Sequence, residues 1–193
     1  MMNFKSFITE EITQEQILST LQRDCTMFIN EVGNLGLYRG IKSPHPGKLL
    51  NKIVSRSDRY PKHTRLSFHN SFNQAFKEIH GVDNIRSQAV FCAGTKDNNY
   101  YGKMFRIFPI GHYEYWWSKK INDLFEWLSE RTLGIEDFSD MVDIVKKGLY
   151  IDTDLTLAIT KYEYTEVMLL CDSYYAIPIK ENDELLKDLD NEL

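Results

Sequence analysis

The sequence predicts a single α+β domain. Amphipathic helical stretches alternate irregularly with short aromatic strands, no internal repeat or long Gly/Ser/Pro-rich linker divides the 193 residues, and 42% of them are apolar. A chain of this length and apolar content can bury a substantial core in one domain.

The elements follow in order. Thr13 with Gln16 three residues on forms a capping box, and Ile17, Leu18, Leu21, Cys25 and Phe28 then fall at helical spacing. A first helix of about 15 residues is expected; with its flanks it forms an N-terminal helical segment over residues 1–35. Gly33 and Gly36 end it, and Leu37-Tyr38-Arg39-Gly40-Ile41 reads as a short strand leaving the turn. An irregular Pro-containing stretch precedes a helix capped by Ser67, with Phe68, Phe72, Ala75, Phe76 and Ile79 on one face and Gly81 at its end. Ala89 to Ala93 is the next strand, followed by Gly94-Thr95 and a polar turn of helix reaching Tyr100-Tyr101-Gly102. Met104 to Pro109 and Tyr113 to Trp117 read as a β-hairpin joined across Ile110-Gly111-His112. Two amphipathic helices come next, carrying Ile121, Leu124, Phe125 and Leu128, then Phe138, Met141, Val142 and Val145. A third short helix starts at Asp152 or Thr153, and the final strands are Val167 to Cys171 and Tyr174 to Ile177. The tail, 180–193, has six acids against two lysines and is expected on the surface.

Several function classes are excluded at this level. No run of eighteen apolar residues occurs, and Met1-Met2-Asn3-Phe4-Lys5 lacks an apolar h-region, so a cytoplasmic protein without membrane association is expected. Cys25, Cys92 and Cys171 stand singly in apolar surroundings and read as reduced core residues, with no metal-ligand spacing. No phosphate loop, zinc signature or nucleophile elbow is present. The net charge of −5 argues against a general nucleic-acid binder.

Three separated segments carry residues suited to chemistry. In Leu37-Tyr38-Arg39-Gly40 an arginine fork, matched to phosphate or ribose oxygens, stands beside a glycine that lets a ligand approach the backbone. The strand Ala89-Val90-Phe91-Cys92-Ala93 ends in small residues that leave room for a flat ring, and Tyr100 and Tyr101 follow within stacking reach. In Glu163-Tyr164-Thr165-Glu166 the last carboxylate stands at the entrance to an apolar strand, placed to stabilise a developing oxocarbenium ion or hold a sugar hydroxyl. Singly, each also fits an ordinary role: a surface ion pair, a core strand with packing tyrosines, a solvated strand-edge acid.

In that order the segments resemble the ADP-ribosyltransferase superfamily, in both its toxin-like and its poly(ADP-ribose) polymerase-like branches. Leu37-Tyr38-Arg39-Gly40 resembles the toxin-type first strand whose arginine contacts NAD⁺. Ala89 to Ala93 with Tyr101 resembles the polymerase-type second strand and the tyrosine that stacks on nicotinamide. Glu166 to Leu170 followed by Tyr174-Tyr175-Ala176-Ile177 resembles the final hairpin that opens with the catalytic Glu. Three positions depart from the family pattern. Thr95 replaces the serine of a Ser-Thr-Ser motif, Tyr164 stands where an acceptor-directing Glu or Gln is usual, and Phe91 stands where polymerase-type enzymes carry tyrosine, so the toxin-like branch is favoured.

The resemblance implies a split β-sandwich core with N-terminal and inserted helices. It implies NAD as the ADP-ribose donor, bound across the split by Tyr38, Arg39, Gly40, Phe91, Ala93, Thr95, Tyr100 and Tyr101, with Glu166 catalytic and no metal. Transfer would be to a macromolecular acceptor contacted by Tyr164. By family analogy the chain would be an intracellular toxin or a viral effector, with an antitoxin or inhibitor as partner.

Lys42, Lys48, Lys52, Arg56, Arg59, Lys62 and Arg65, broken by the single acid Asp58, follow directly on the Arg39 strand. That basic run could track a phosphate backbone, so RNA or DNA is favoured slightly over protein as acceptor, through Arg56, Arg59 and Arg65. Two other classes remain open: an inactive NAD- or nucleic-acid-binding module, and an interaction protein using Trp116-Trp117 as an anchor.

Overall fold

The chain passes back and forth between two antiparallel sheets, so that strands adjacent in sequence seldom pair. The computed structural model describes residues 12–42, 48–61, 65–97, 102–129, 138–179 and 183–192. Its strands are β1 Leu37–Ile41, β2 Asn51–Val54, β3 Val90–Cys92, β4 Lys103–Pro109, β5 Tyr113–Ser118, β6 Tyr150–Ile151, β7 Val167–Cys171 and β8 Ser173–Pro178. One sheet has the order β1-β4-β8-β2 and the other β3-β7-β5-β6. Among the described residues a single bridge joins them: the Tyr38 amide donates to Ala93 O at 2.7 Å and the Ala93 amide donates back to Tyr38 O at 2.9 Å. Past that bridge β1 stays with β4, through Gly40 against Met104 and Ile41 against Lys103, and parts from β3.

The helices are α1 Gln14–Asp24, α2 Thr26–Val32, α3 Leu66–His80, α4 Ile85–Gln88, α5 Leu124–Ser129, α6 Phe138–Gly148, α7 Leu155–Thr160 and α8 Asp183–Glu192. The core forms two apolar clusters on opposite faces of the second sheet. Val167 and Leu169 of β7 join Leu37, Ile107 and Ala176 of the first sheet and Ile17, Leu21, Phe28, Leu186 and Leu189 of the helices. Met168 between them points the other way, to Phe72, Phe76, Ile85, Met141 and Val145. This is the two-residue alternation of a strand with both faces buried. Trp116 and Trp117 divide in the same manner, and both are buried, at 9% and 0% exposure. The tryptophan pair is therefore core and offers no anchor to a partner.

The expected capping box at Thr13 is present, with both reciprocal bonds. The first helix, however, breaks at the buried Cys25 into α1 and α2. Helix α3 begins at Leu66 with Arg65 rather than Ser67 in the cap position, and Gly81 ends it in the left-handed region at φ 75°.

Two expected hairpins are corrected. β4 pairs with β1 and β8, and β5 with β7 and β6, because the linking residues bond outward: the Ile110 amide to Ser173 O, the Gly111 amide to Asp24 O. Likewise β7 pairs with β3 and β5, and β8 with β4 and β2, so Asp172 carries the chain from one sheet to the other. The segment expected as an acidic surface tail forms α8, whose Leu186 and Leu189 are buried while Asp190 pairs with the fully buried Arg106.

Candidate functional site

The place where β1 leaves β3 poses a local problem. The edge of β3 that faces β1 presents the carbonyls of Ala89, Phe91 and Ala93, and β1 supplies a backbone donor only to Ala93. Two arginines take the others: Arg39 Nη1 lies 3.4 Å from Phe91 O, and Arg59 Nη1 donates to Ala89 O at 2.7 Å. A buried carbonyl without a donor costs free energy, and a guanidinium, with five N–H groups, can serve one and keep others for a ligand.

The Phe91 ring is the hub of the cluster. The guanidinium carbons of Arg59 and Arg86 each lie 4.7 Å from its centroid. Arg86 Nη1 donates to Glu166 Oε1 at 2.9 Å, and the two side chains are 11% and 20% exposed. Glu166 is held from behind by its own amide, bonded to Asn122 O at 2.6 Å, while Thr165 Oγ1 donates to Asn122 Oδ1 at 3.1 Å.

One arginine, Arg86, thus contacts the carboxylate and a second, Arg59, acts on its charge, in part-buried surroundings where charge is weakly screened. Burial, with Arg39 beside it, draws Arg59 down to about 10, so it stays cationic at neutral pH. Burial raises the Glu166 carboxyl above the ordinary range, and Asp123 adds to this, while Arg86 and Arg59 act in the opposite direction. Cys92, buried under the cluster, is pushed up to about 12 by burial and is no thiolate nucleophile.

The other expected site residues separate. Ala93 forms the inter-sheet bridge with Tyr38. Tyr38 and Thr95 line an open cavity of about 510 Å³ with Asn34, Gly94, Lys96 and Glu163; Arg39, Arg59, Arg86 and Glu166 are not part of its lining. Thr95 is 6% exposed, and its hydroxyl accepts from the Asp97 amide. The room for a flat ring expected at the end of β3 is partly filled: a side chain at 94 would come within 2.3 Å of Ile159 O, so Gly94 is there for the close approach of α7. Gly40 lies opposite Met104 on β1. Tyr164 is exposed before β7. Tyr100 and Tyr101 lie outside the described residues, as does Lys62.

Of the basic run, Lys42, Lys48, Lys52, Arg56 and Arg65 are exposed. Arg56 is paired with Asp58 at 3.0 Å. Arg59, expected on an acceptor-facing surface, is half-buried against the edge of β3, donating to Ala89 O and lying on the Phe91 ring. Arg86 was not among the expected site residues; its one sequence signal is a charged residue in the run Arg86-Ser87-Gln88 leading directly into an apolar strand.

Among the described residues no group of three His, Cys, Asp or Glu side chains is placed to hold a metal ion, and no helix is long and apolar enough to cross a membrane. Comparison with models of known protein families, with curated proteins and with solved structures finds no match.

Proposed function

We propose that this chain is an NAD-dependent ADP-ribosyltransferase that moves ADP-ribose from NAD⁺ to a macromolecular acceptor and releases nicotinamide. The observation that carries the proposal is that Arg39, Arg59 and Arg86 all meet Phe91, at its carbonyl or its ring, and that Arg86 holds Glu166 beside them. Segments more than fifty residues apart in sequence meet there because β1 bridges to β3 and β3 pairs with β7.

The chemistry suits the groups present. A dinucleotide brings a diphosphate dianion, and the cluster has an excess of positive charge held by fork-shaped donors. Arg39 and Arg59 bind the diphosphate, and Glu166 accepts a hydrogen bond from the nicotinamide-ribose hydroxyl. As the glycosidic C–N bond breaks, its electron pair passes to the nicotinamide nitrogen, which loses its positive charge and leaves neutral. The carboxylate stabilises the positive charge left on the ribose. A lone pair of the acceptor then attacks the anomeric carbon, and the acceptor's proton passes to solvent. The exposed Lys42, Lys48, Lys52, Arg56 and Arg65 favour a nucleic-acid acceptor.

Incubation of the full chain with NAD⁺ labelled on the adenylate half, in a cell lysate, tests the proposal. Nicotinamide release and label on RNA or DNA are expected, with Glu166→Gln reducing both by about 100-fold or more. Label confined to protein would reverse the acceptor assignment. Release no greater than that of Glu166→Gln would overturn the activity.

A further inference from the structure

The side chain that meets Glu166 is Arg86, at 2.9 Å. We infer that Arg86 is a positioning residue, which fixes the Glu166 carboxylate against α4 and in its charged form. The inference rests on the transferase reading only for what Glu166 then does.

Arg86 is itself held with little freedom. Its guanidinium lies between two rings, 4.7 Å from the Phe91 centroid and 5.6 Å from that of Phe72. Its backbone amide donates to Asn73 Oδ1 at 2.8 Å. The next residue, Ser87, is fixed by His69 Nε2 at 2.9 Å and by Asn73 Nδ2 at 3.2 Å. His69 and Asn73 are 5% and 6% exposed, so this polar network is sealed between α3 and α4. A satisfied buried network of this kind makes the short α4 a rigid mount, which α4 with its four residues could not be alone.

The position of the carboxylate is set from both sides, by Arg86 in front and by the Asn122 loop behind. Four charged or titratable groups bear on its charge: Arg86 of α4, Arg59 of the segment before α3, Asp123 before α5 and Tyr150 of β6. Arg86 is the cation in direct contact with it, and Asp123 opposes ionisation. Without Arg86 the buried carboxyl would take up a proton and lose the charge that the reaction requires.

The test is the side-chain ¹³C titration of Glu166 in the full chain, assigned with Glu166→Gln and compared in wild type, Arg86→Gln and Arg86→Lys. Arg86→Gln is expected to raise the Glu166 midpoint by about 1–3 pH units. Arg86→Lys restores the charge without the planar fork and should show a smaller rise. The acidic limb of kcat/KM for nicotinamide release should move by the same amount, with kcat falling more than KM for NAD⁺ changes. Should Arg86→Gln not fold, Arg86→Lys carries the test. An unchanged midpoint in the folded variants overturns the inference. A wild-type chain that releases no nicotinamide, while the midpoint still moves, overturns the transferase reading and leaves the positioning role standing.

Discussion

Replacing Arg39 by alanine separates a ligand contact from a structural one, because the geometry gives the two unequal values. Within the protein, Arg39 reaches Phe91 O at 3.4 Å, the long end of the hydrogen-bond range, from a half-buried side chain. Loss of such a bond costs about 0.5–1.5 kcal/mol, which for a domain of this size lowers Tm by roughly 1–6 °C. A charge-assisted bond to a diphosphate oxygen is worth about 1.5–3 kcal/mol, so the affinity for NAD⁺ should fall by roughly 10- to 150-fold. Calorimetric titration with NAD⁺ in a Glu166→Gln background, which prevents turnover, measures the second quantity, and scanning calorimetry of the free chain the first. Arg59→Ala is the control for a residue with both roles: it holds Ala89 O at 2.7 Å and lies on Phe91, so it should lose stability as well as affinity. An Arg39→Ala chain that binds NAD⁺ within twofold of the parent but melts more than about 8 °C lower would refute the reasoning, since Arg39 would then be a structural residue.

Three further outcomes are expected. Because burial holds the Glu166 carboxyl above its ordinary range, ionised Glu166 opposes folding; the stability it contributes in its protonated form is lost as pH rises through the raised value. Glu166→Gln should therefore melt higher than wild type at pH 8, by a margin that narrows toward pH 4 in melting scans across that range. His69 is shifted the other way, lowered by burial and then by Arg86 and Arg59. Its contribution is full above about pH 6.5 and is lost as pH falls, so His69→Gln should flatten the fall in Tm below that pH. Leu189→Ala, at a position 1% exposed, should cost about 2–5 kcal/mol in urea unfolding, whereas a leucine on a solvated tail would cost under about 0.5 kcal/mol.

The apolar strands β1, β3, β4, β5, β7 and β8 were legible in the sequence; β2, β6 and the partnership of the strands were not. Val167 to Cys171 is β7 to the residue, and the termini of β4, β5 and β8 differ from expectation by one residue. Pairing went astray because Phe105 to Pro109 is buried on both faces, so no alternation of apolar and polar residues marks which sheet receives the strand. β2 was missed because an edge strand reading Asn-Lys-Ile-Val beside prolines and lysines looks like a loop. In α8 the six acids of the tail masked the three-residue spacing of Leu186 and Leu189. Arg39 and Glu166 stood out in the sequence because each adjoins an apolar strand whose bounds could be read. Arg86 did not, because its partner lies eighty residues away and its mount is a one-turn helix made rigid by contacts with His69 and Asn73. Arg59 was seen as a charge, but a charge run says nothing about which member turns inward to an aromatic ring.

The split and the cluster have one physical origin. An exposed strand edge invites pairing, and β3 is closed by β7 on one side only. Along its other side the donors change from a backbone amide at Ala93 to guanidinium groups at Phe91 and Ala89, in step with the departure of β1 toward β4. A third strand placed there would satisfy the same carbonyls and erase the gap, whereas arginines satisfy them and keep it open. They also leave fork N–H groups and net positive charge at this strand edge, in part-buried surroundings that strengthen attraction for an anion. Glu166 enters from the opposite edge of β3, carried by β7 and turned by Arg86. The departure of β1 from β3 is therefore what gathers Arg39 and Arg59 at the Ala89 and Phe91 carbonyls, next to the ring on which Arg86 holds Glu166.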